Sequence, residues 1–243
     1  MRSQLRLVFP FLVLSWLTNS CTTKVTAPFA LQQSIAYHDP STEWATFDDT
    51  LRIIATRPEG GFRHSTLHVD VARDIFSIRD STRHHTVSYQ WTPDSCHVKL
   101  NGSSDFTPRE RDSLHLTCDR LHLLKDYYTF LYGLPMKLTD RGVNLIDTVA
   151  TKTFKGKDYA VIEARFADNV GEDVWFIYLN PRSYRMEVYQ FFDTDTNGQI
   201  LPESGEYVLL DGEFFIGGMN IPETRSWYTN ADDEFLGTDV LIR

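Results

Sequence analysis

The chain has 243 residues, with 33 acids against 24 lysines and arginines and a net charge of −9. An acidic surface of that kind repels phosphate backbones and anionic membranes, which sets nucleic-acid binding aside. The length suits one domain, and no internal repeat, long linker or low-complexity segment divides it.

Arg2 and Arg6 give a basic start, Leu7 to Leu17 form an apolar run, and Thr18-Asn19-Ser20 precede Cys21. A basic start, about eleven apolar residues and a small residue before the cut are the marks of a secretory signal peptide. The run falls short of the roughly twenty residues a membrane span needs. A cysteine directly after the small residues is the lipobox arrangement of a bacterial lipoprotein. Residues 1–20 are therefore expected to be a cleaved signal and Cys21 the lipidated N-terminus. Thr18 and Asn19 depart from the commonest lipobox, and the alternative is an ordinary cleaved signal beside an incidental cysteine. Cleavage removes two arginines and no acid, taking the charge from −9 to −11. Residues 21–26 then read as a lipidated polar tether and 27–243 as the folded domain. Thr22 stands where an aspartate would be an inner-membrane retention signal in some Gram-negative bacteria, and no acidic run follows the anchor. The expected place is the outer membrane, facing the periplasm.

A first helix is predicted from Pro28 to about His38, capped by Thr26, with Leu31 and Ile35 on one face and Asp39-Pro40 ending it. Strands follow over Thr50–Thr56, around Leu67, Val69 and Val71, and over Asp74–Arg79, Thr86–Trp91 and Cys96–Leu100. The clearest helix runs from Pro108 to Tyr132. Thr107 caps it, Glu110 completes a capping box, and Gly133 is its natural C-cap. After Met136 the chain reads as β almost to its end, with Asp211-Gly212 as a two-residue hairpin signal. Val174 to Leu179 is apolar on both faces, and Val188 to Phe192 and Tyr207 to Leu210 are nearly so. Such strands need cover on both sides, yet only two substantial helices are available. A long antiparallel sheet with few helices curls around them. The predicted fold is α+β and mostly antiparallel β. Its curved sheet is a half-barrel, with an N-terminal helix and one long central helix on the concave face. Leu121, Tyr128 and Leu131 on the helix, with Trp175, Ile177, Tyr189 and Phe191 on the strands, are expected to line an apolar cleft between them.

With Cys21 lipidated, Cys96 and Cys118 remain as a pair in an oxidising compartment. A disulfide between them is one reading and two buried thiols the other. Asp193, Asp195 and Asn197 match the opening of a calcium loop, with Gly198 for its sharp turn. Ser204 stands where the bidentate glutamate should be, so the choice is weak Ca2+ binding or a polar hairpin. His115, Cys118 and His122 fall on one face of a continuous long helix and suit zinc, or else form a core edge. His64, His68, His84 and His85 lie in neighbouring strand segments and form a second, weaker grouping. His38-Asp39 is an acid/base pair in form, but a helix-end histidine and an Asx turn are the simpler reading. The chain has no nucleophile elbow, Walker loop, dinucleotide fingerprint or His-Glu-x-x-His.

Several segments carry a resemblance: Tyr37-His38-Asp39-Pro40, the stretch from Tyr127 to Lys137 with Tyr132-Gly133-Leu134-Pro135 at its heart, Gly171-Glu172-Asp173-Val174-Trp175, Trp227-Tyr228-Thr229-Asn230 and Leu236-Gly237-Thr238-Asp239. With these the mature chain resembles a family of uncharacterised Bacteroidota envelope lipoproteins. Their fold is similar to the lipoprotein carrier and acceptor proteins of the Lol system, which hold acyl chains in an unclosed barrel. The resemblance implies an envelope lipoprotein with a lipid-cradle fold and no particular reaction. Taken with the anchor and the two-faced strands, the expectation is a monomeric, membrane-anchored protein that binds or passes on a hydrophobic ligand, a lipid or an acylated peptide, without catalysis and without a cofactor. A scaffolding lipoprotein filled by its own aromatics is the alternative, and a hydrolase using His and Asp residues is a third.

Overall fold

The computed structural model describes residues 25–167 and 173–243, so Cys21 and the signal segment lie outside the described residues. Helix α1 spans Ala27–His38 and is followed by a five-strand meander: β1 (Asp48–Thr56), β2 (Phe62–Asp70), β3 (Ile75–Ser81), β4 (Thr86–Thr92) and β5 (Ser95–Leu100). Two helices come next, α2 (Pro108–Leu114) and α3 (Cys118–Gly133). The second run of strands is β6 (Val143–Leu145), β7 (Ala150–Phe154), β8 (Lys157–Phe166), β9 (Val174–Leu179), β10 (Met186–Phe192) and β11 (Glu206–Asp211). It closes with β12 (Phe214–Ile216), β13 (Met219–Ile221), β14 (Thr224–Thr229) and β15 (Phe235–Ile242).

Thirteen strands form one sheet in the order β5-β4-β3-β2-β1-β15-β14-β11-β10-β9-β8-β6, with β7 also on β8, and β12 and β13 make a separate ribbon. Every pairing is antiparallel, and the sheet is open and curved. Alternation along each strand decides its faces. On β1, Leu51, Ile53 and Ala55 are buried while Arg52 and Thr56 are exposed. The inward residues join Ala27, Ala30 and Leu31 of α1 and Leu121, Leu124, Tyr128, Leu131 and Tyr132 of α3 in one continuous core. Both helices therefore lie on the concave face, as the two-faced strands predict.

The convex side of the second half is covered differently. All six residues of β9 are buried, and Tyr159, Val161, Val174, Phe176, Tyr178 and Val188 form a second apolar cluster. Its lid is strand β7 rather than a helix. Phe154 lies 5.2 Å from both Tyr178 and Tyr207, and the Lys152 ammonium stands 3.9 Å over the Phe176 ring.

Three local expectations are corrected. The long helix is two helices. His115 adopts a left-handed conformation (φ 53°), which ends α2, and Thr117 caps α3 by accepting from the Arg120 N–H. The capping box of Thr107 and Glu110 is present where predicted. Asp211-Gly212 is not a hairpin, because β11 pairs with β14; the tight turn is Gly217-Gly218, between β12 and β13. The stretch Asn144–Phe154, part of the unbroken β run expected after Met136, is two strands, β6 and β7, which pair with opposite ends of β8. Cys96 on β5 and Cys118, the first residue of α3, form a disulfide with Cα atoms 6.0 Å apart. It fastens the N-terminal end of α3 to the outermost strand of the meander.

Candidate functional site

Helical spacing puts Tyr127, Phe130 and Leu131 on one stripe of α3, at i, i+3 and i+4. That stripe faces β9, β10 and β14. Trp175 and Phe191 are direct cross-strand partners, stacked with centroids 4.8 Å apart. Phe130 meets Trp175 edge-on at 4.9 Å, and Tyr127 stacks on Trp227 at 6.3 Å. Between these rings lies a cleft of about 440 Å³, with Leu236 completing the apolar wall and Arg57, Asp173 and Glu206 on its rim. A second cleft of about 670 Å³ opens on the far side of Phe130 and Trp175, bounded by Leu123, Val143 and Phe166 with Lys137, Asp140 and Arg141 at its edge. The two share Tyr127, Phe130, Asp173 and Trp175. Large apolar side chains are thus left partly open to solvent beside the solid part of the concave face: Tyr127 is 45% exposed and Leu123 63%. Burial raises the Glu206 carboxyl above its ordinary range, and the Arg57 charge opposes that rise.

The solid part has a polar frame. Arg63 donates from Nη2 to the Tyr128 hydroxyl at 2.9 Å and from Nε to Ser65 Oγ at 3.1 Å, and Ser65 in turn donates to Asp80. Asp239 accepts from Trp227 Nε1 at 3.1 Å and from Arg57 at 3.2 Å. Arg225, 1% exposed, is the cross-strand partner of Asp239; it donates to the Pro222 carbonyl at 3.0 Å and lies 4.0 Å from the Tyr132 ring centroid. A buried guanidinium needs such partners, because an uncompensated buried charge costs several kcal/mol. Burial pushes the Tyr128 phenol up to about 12 and those of Tyr132 and Tyr189 higher, so all three are neutral donors or ring faces at any ordinary pH.

Of the residues expected to line the cleft, Leu131, Trp175 and Phe191 do. Leu121, Tyr128, Ile177 and Tyr189 lie deeper, each 4% exposed or less, within the packed core. Sequence reasoning passed over Tyr127, Phe130, Trp227 and Leu236. The signal for the first two was present, since Tyr127 and Phe130 stand at i and i+3, each beside a member of the expected stripe, Tyr128 and Leu131.

The histidines do not converge. His115 sits in the break between α2 and α3, and His122 packs edge-on against Trp91 at 4.3 Å, so the one-face zinc reading fails with the helix that carried it. His68 faces Asp48 at 2.8 Å, His64 is opposite Ser81, and His84 and His85 lie in the β3–β4 turn. Among the described residues, no three His, Cys, Asp or Glu side chains are grouped to hold a metal ion. Asp193, Asp195 and Asn197 share the loop between β10 and β11. There the Asp195 carboxylate accepts from the Asn197 and Gln199 N–H groups at 2.8 and 2.9 Å, which holds it below the usual carboxylate range.

His38 is a structural cross-link. Its Nδ1–H donates to the Asn220 carbonyl at 2.7 Å and its Nε2 accepts from the Met186 N–H at 3.0 Å. The second contact needs the neutral ring, and burial pushes its pKa down to about 4. It therefore brings no positive charge to the end of α1. Asp39 makes the expected turn, its carboxylate accepting from the Glu43 and Trp44 N–H groups. No helix among the described residues is long and apolar enough to cross a membrane.

Comparison with known proteins yields a family and two fold-level likenesses. A family model described as a family of unknown function (DUF6503) matches residues 6–243. No curated protein matches the chain. Among solved structures, the chain is similar to a LolA superfamily protein from Nitrosomonas europaea, with 11% identity and a TM-score of 0.49 over 90% of this chain and 92% of that one. It is also similar to a DUF1329 family protein from Desulfovibrio piger, with 5% identity and a TM-score of 0.44 over 91% and 92%.

Proposed function

We propose, from the premise that this chain belongs to the family of unknown function DUF6503, that it is an envelope lipoprotein that binds a hydrophobic ligand in the aromatic cleft beside α3. The observation that carries this is the contrast of packing along the concave face. Tyr127, Phe130, Trp175, Phe191 and Trp227 leave open apolar space between them. An acyl chain is the ligand class such a wall suits, because burying apolar surface on both partners is the whole of the driving force. Arg57 and Glu206 at the rim would receive its polar end, and the second cleft past Phe130 would take a longer or branched chain. The ligand would be a lipid or an acylated peptide, bound or handed on without catalysis. Cys21 would hold the domain to the outer membrane, facing the periplasm.

The test uses the mature domain made without its lipid. Native mass spectrometry should find a co-purifying lipid, and a fluorescent fatty acid should be taken up with a blue shift. A lipid-free protein with no uptake sinks this reading and favours the scaffolding one, which the solid centre of the concave face supports. The anchor is tested separately: Cys21→Ser should abolish palmitate labelling and release the full-length protein from membranes.

A further inference from the structure

The convex face of the β1–β5 meander has a character opposite to the rest of the chain. The register of the ladder lines up two neighbouring rungs across five strands. One is Thr50, His68, Ser77, Gln90 and His97; the other is Arg52, Thr66, Arg79, Ser88 and Lys99. None of these is an acid, although the chain carries nine more acids than lysines and arginines. A groove of about 440 Å³ runs between the rungs, with the short side chains of Ser77 and Ser88 in its floor and Arg79, Lys99, His68 and His97 along its sides. In the second rung cations alternate with hydroxyls. Arg52, Arg79 and Lys99 sit on every other strand, which spaces them about 10 Å apart in a straight row, given a strand separation of about 4.8 Å. All three are exposed, and none makes an ion pair with another described residue, whereas Arg57, Arg63, Arg73 and Arg165 do. Asp48, at the margin, is held by His68 and Arg73. The equivalent face of β8–β11 is an apolar cluster under its own lid, so this half alone offers a polar channel.

We propose that this groove binds an extended anionic glycan. Carboxylates or phosphates spaced along the glycan would pair with Arg52, Arg79 and Lys99, and sugar hydroxyls would exchange hydrogen bonds with Thr66, Ser77, Ser88 and Gln90. A row of cations interleaved with small hydroxyl donors and acceptors, set in a channel rather than on a plane, fits a linear chain better than a flat bilayer. The site is separate from the aromatic cleft, which lies on the opposite face, and does not depend on what that cleft binds.

The experiment measures binding to the mature chain at low and moderate salt by calorimetry. The probes are oligogalacturonate, which carries carboxylates, and a phosphate-bearing mannan fragment, with neutral dextran and phosphatidylglycerol vesicles in parallel. Binding to at least one of the two anionic glycans is expected, with affinity falling as salt rises. The double variant R79Q/K99Q should bind about tenfold more weakly, the effect of losing roughly 1.4 kcal/mol from two charged contacts, with its melting temperature unchanged. Which of the two glycans binds distinguishes carboxylate from phosphate recognition. Failure of both to bind, equal binding to dextran, or binding that the double variant leaves intact overturns the proposal. So does R79Q/K99Q-sensitive binding to the vesicles with no glycan binding, which would assign the face to a membrane.

Discussion

Tyr127 and Tyr128 are neighbours on α3 and belong to different parts of the molecule. Tyr128 is 4% exposed, bonded to Arg63 and stacked on Phe76, inside the continuous core. Tyr127 is 45% exposed and forms a wall of the cleft. Successive helical residues point about 100° apart, so one helix serves a closed region and an open one at once. The closed region is tied down by partly buried ion pairs and hydrogen bonds; the open one is held mainly by rings stacked or set edge-on against one another. Stability should therefore reside in the first and ligand binding in the second.

That division can be broken by experiment, beginning with the largest expected effect. Leu121→Ala removes a side chain with no exposed surface and should cost about 3 to 4 kcal/mol in denaturant unfolding. A loss below 1 kcal/mol would mean the centre is not solid. Acid should act on the closed region through His38. Its folded-state pKa of about 4 lies below the ordinary 6.5, so the stability it contributes is full above pH 6.5 and is lost as pH falls through that window toward 4. The loss is on the order of 3 kcal/mol, and His38→Gln should flatten the curve between those two pH values while lowering stability overall. Gly133 ends α3 against Trp44, where an added Cβ would lie 2.3 Å from the indole. Gly133→Ala should cost about 2 kcal/mol by chemical denaturation through forced repacking. Phe130→Ser is the converse case. It should change stability by only about 1 kcal/mol yet weaken fatty-acid uptake about tenfold, because it removes the ring between the two clefts. Unaltered uptake would show that the ligand sits elsewhere.

The sequence made the sheet legible where alternation was strict, as in β1 to β5, and made α2's start legible through Thr107 and Glu110. The half-barrel followed from the two greasy faces of β9. The break at His115 was hidden because a left-handed histidine has no sequence mark, although Thr117 and Asp119 form a plain second helix start. Asp211-Gly212 misled for a different reason: its local chemistry favours a hairpin, but the partner of β11 is β14, and long-range pairing overrode it. The cleft was half legible. Its residue types were visible as aromatic wealth, but which ring fills and which leaves space depends on packing across α3, β10 and β14, and spacing along one segment does not contain that. The convex groove was invisible for the same reason, since its two rungs exist only once five strands are in register.

The junction of β1 with β15 has a consequence for how the molecule is made. Arg52 pairs with Ile242 and Thr56 with Thr238, contacts between segments some 180 residues apart. The meander β1–β5 is built from local hairpins and can zip as soon as its strands have been made. The seam beside it must wait for the final strand, and loop closure over that distance is slow. Until it arrives, the edge of β1 stands bare, open to pairing with another chain. The final strand is thus the step that commits the sheet, and the interval before it is when the protein is most in need of an escort.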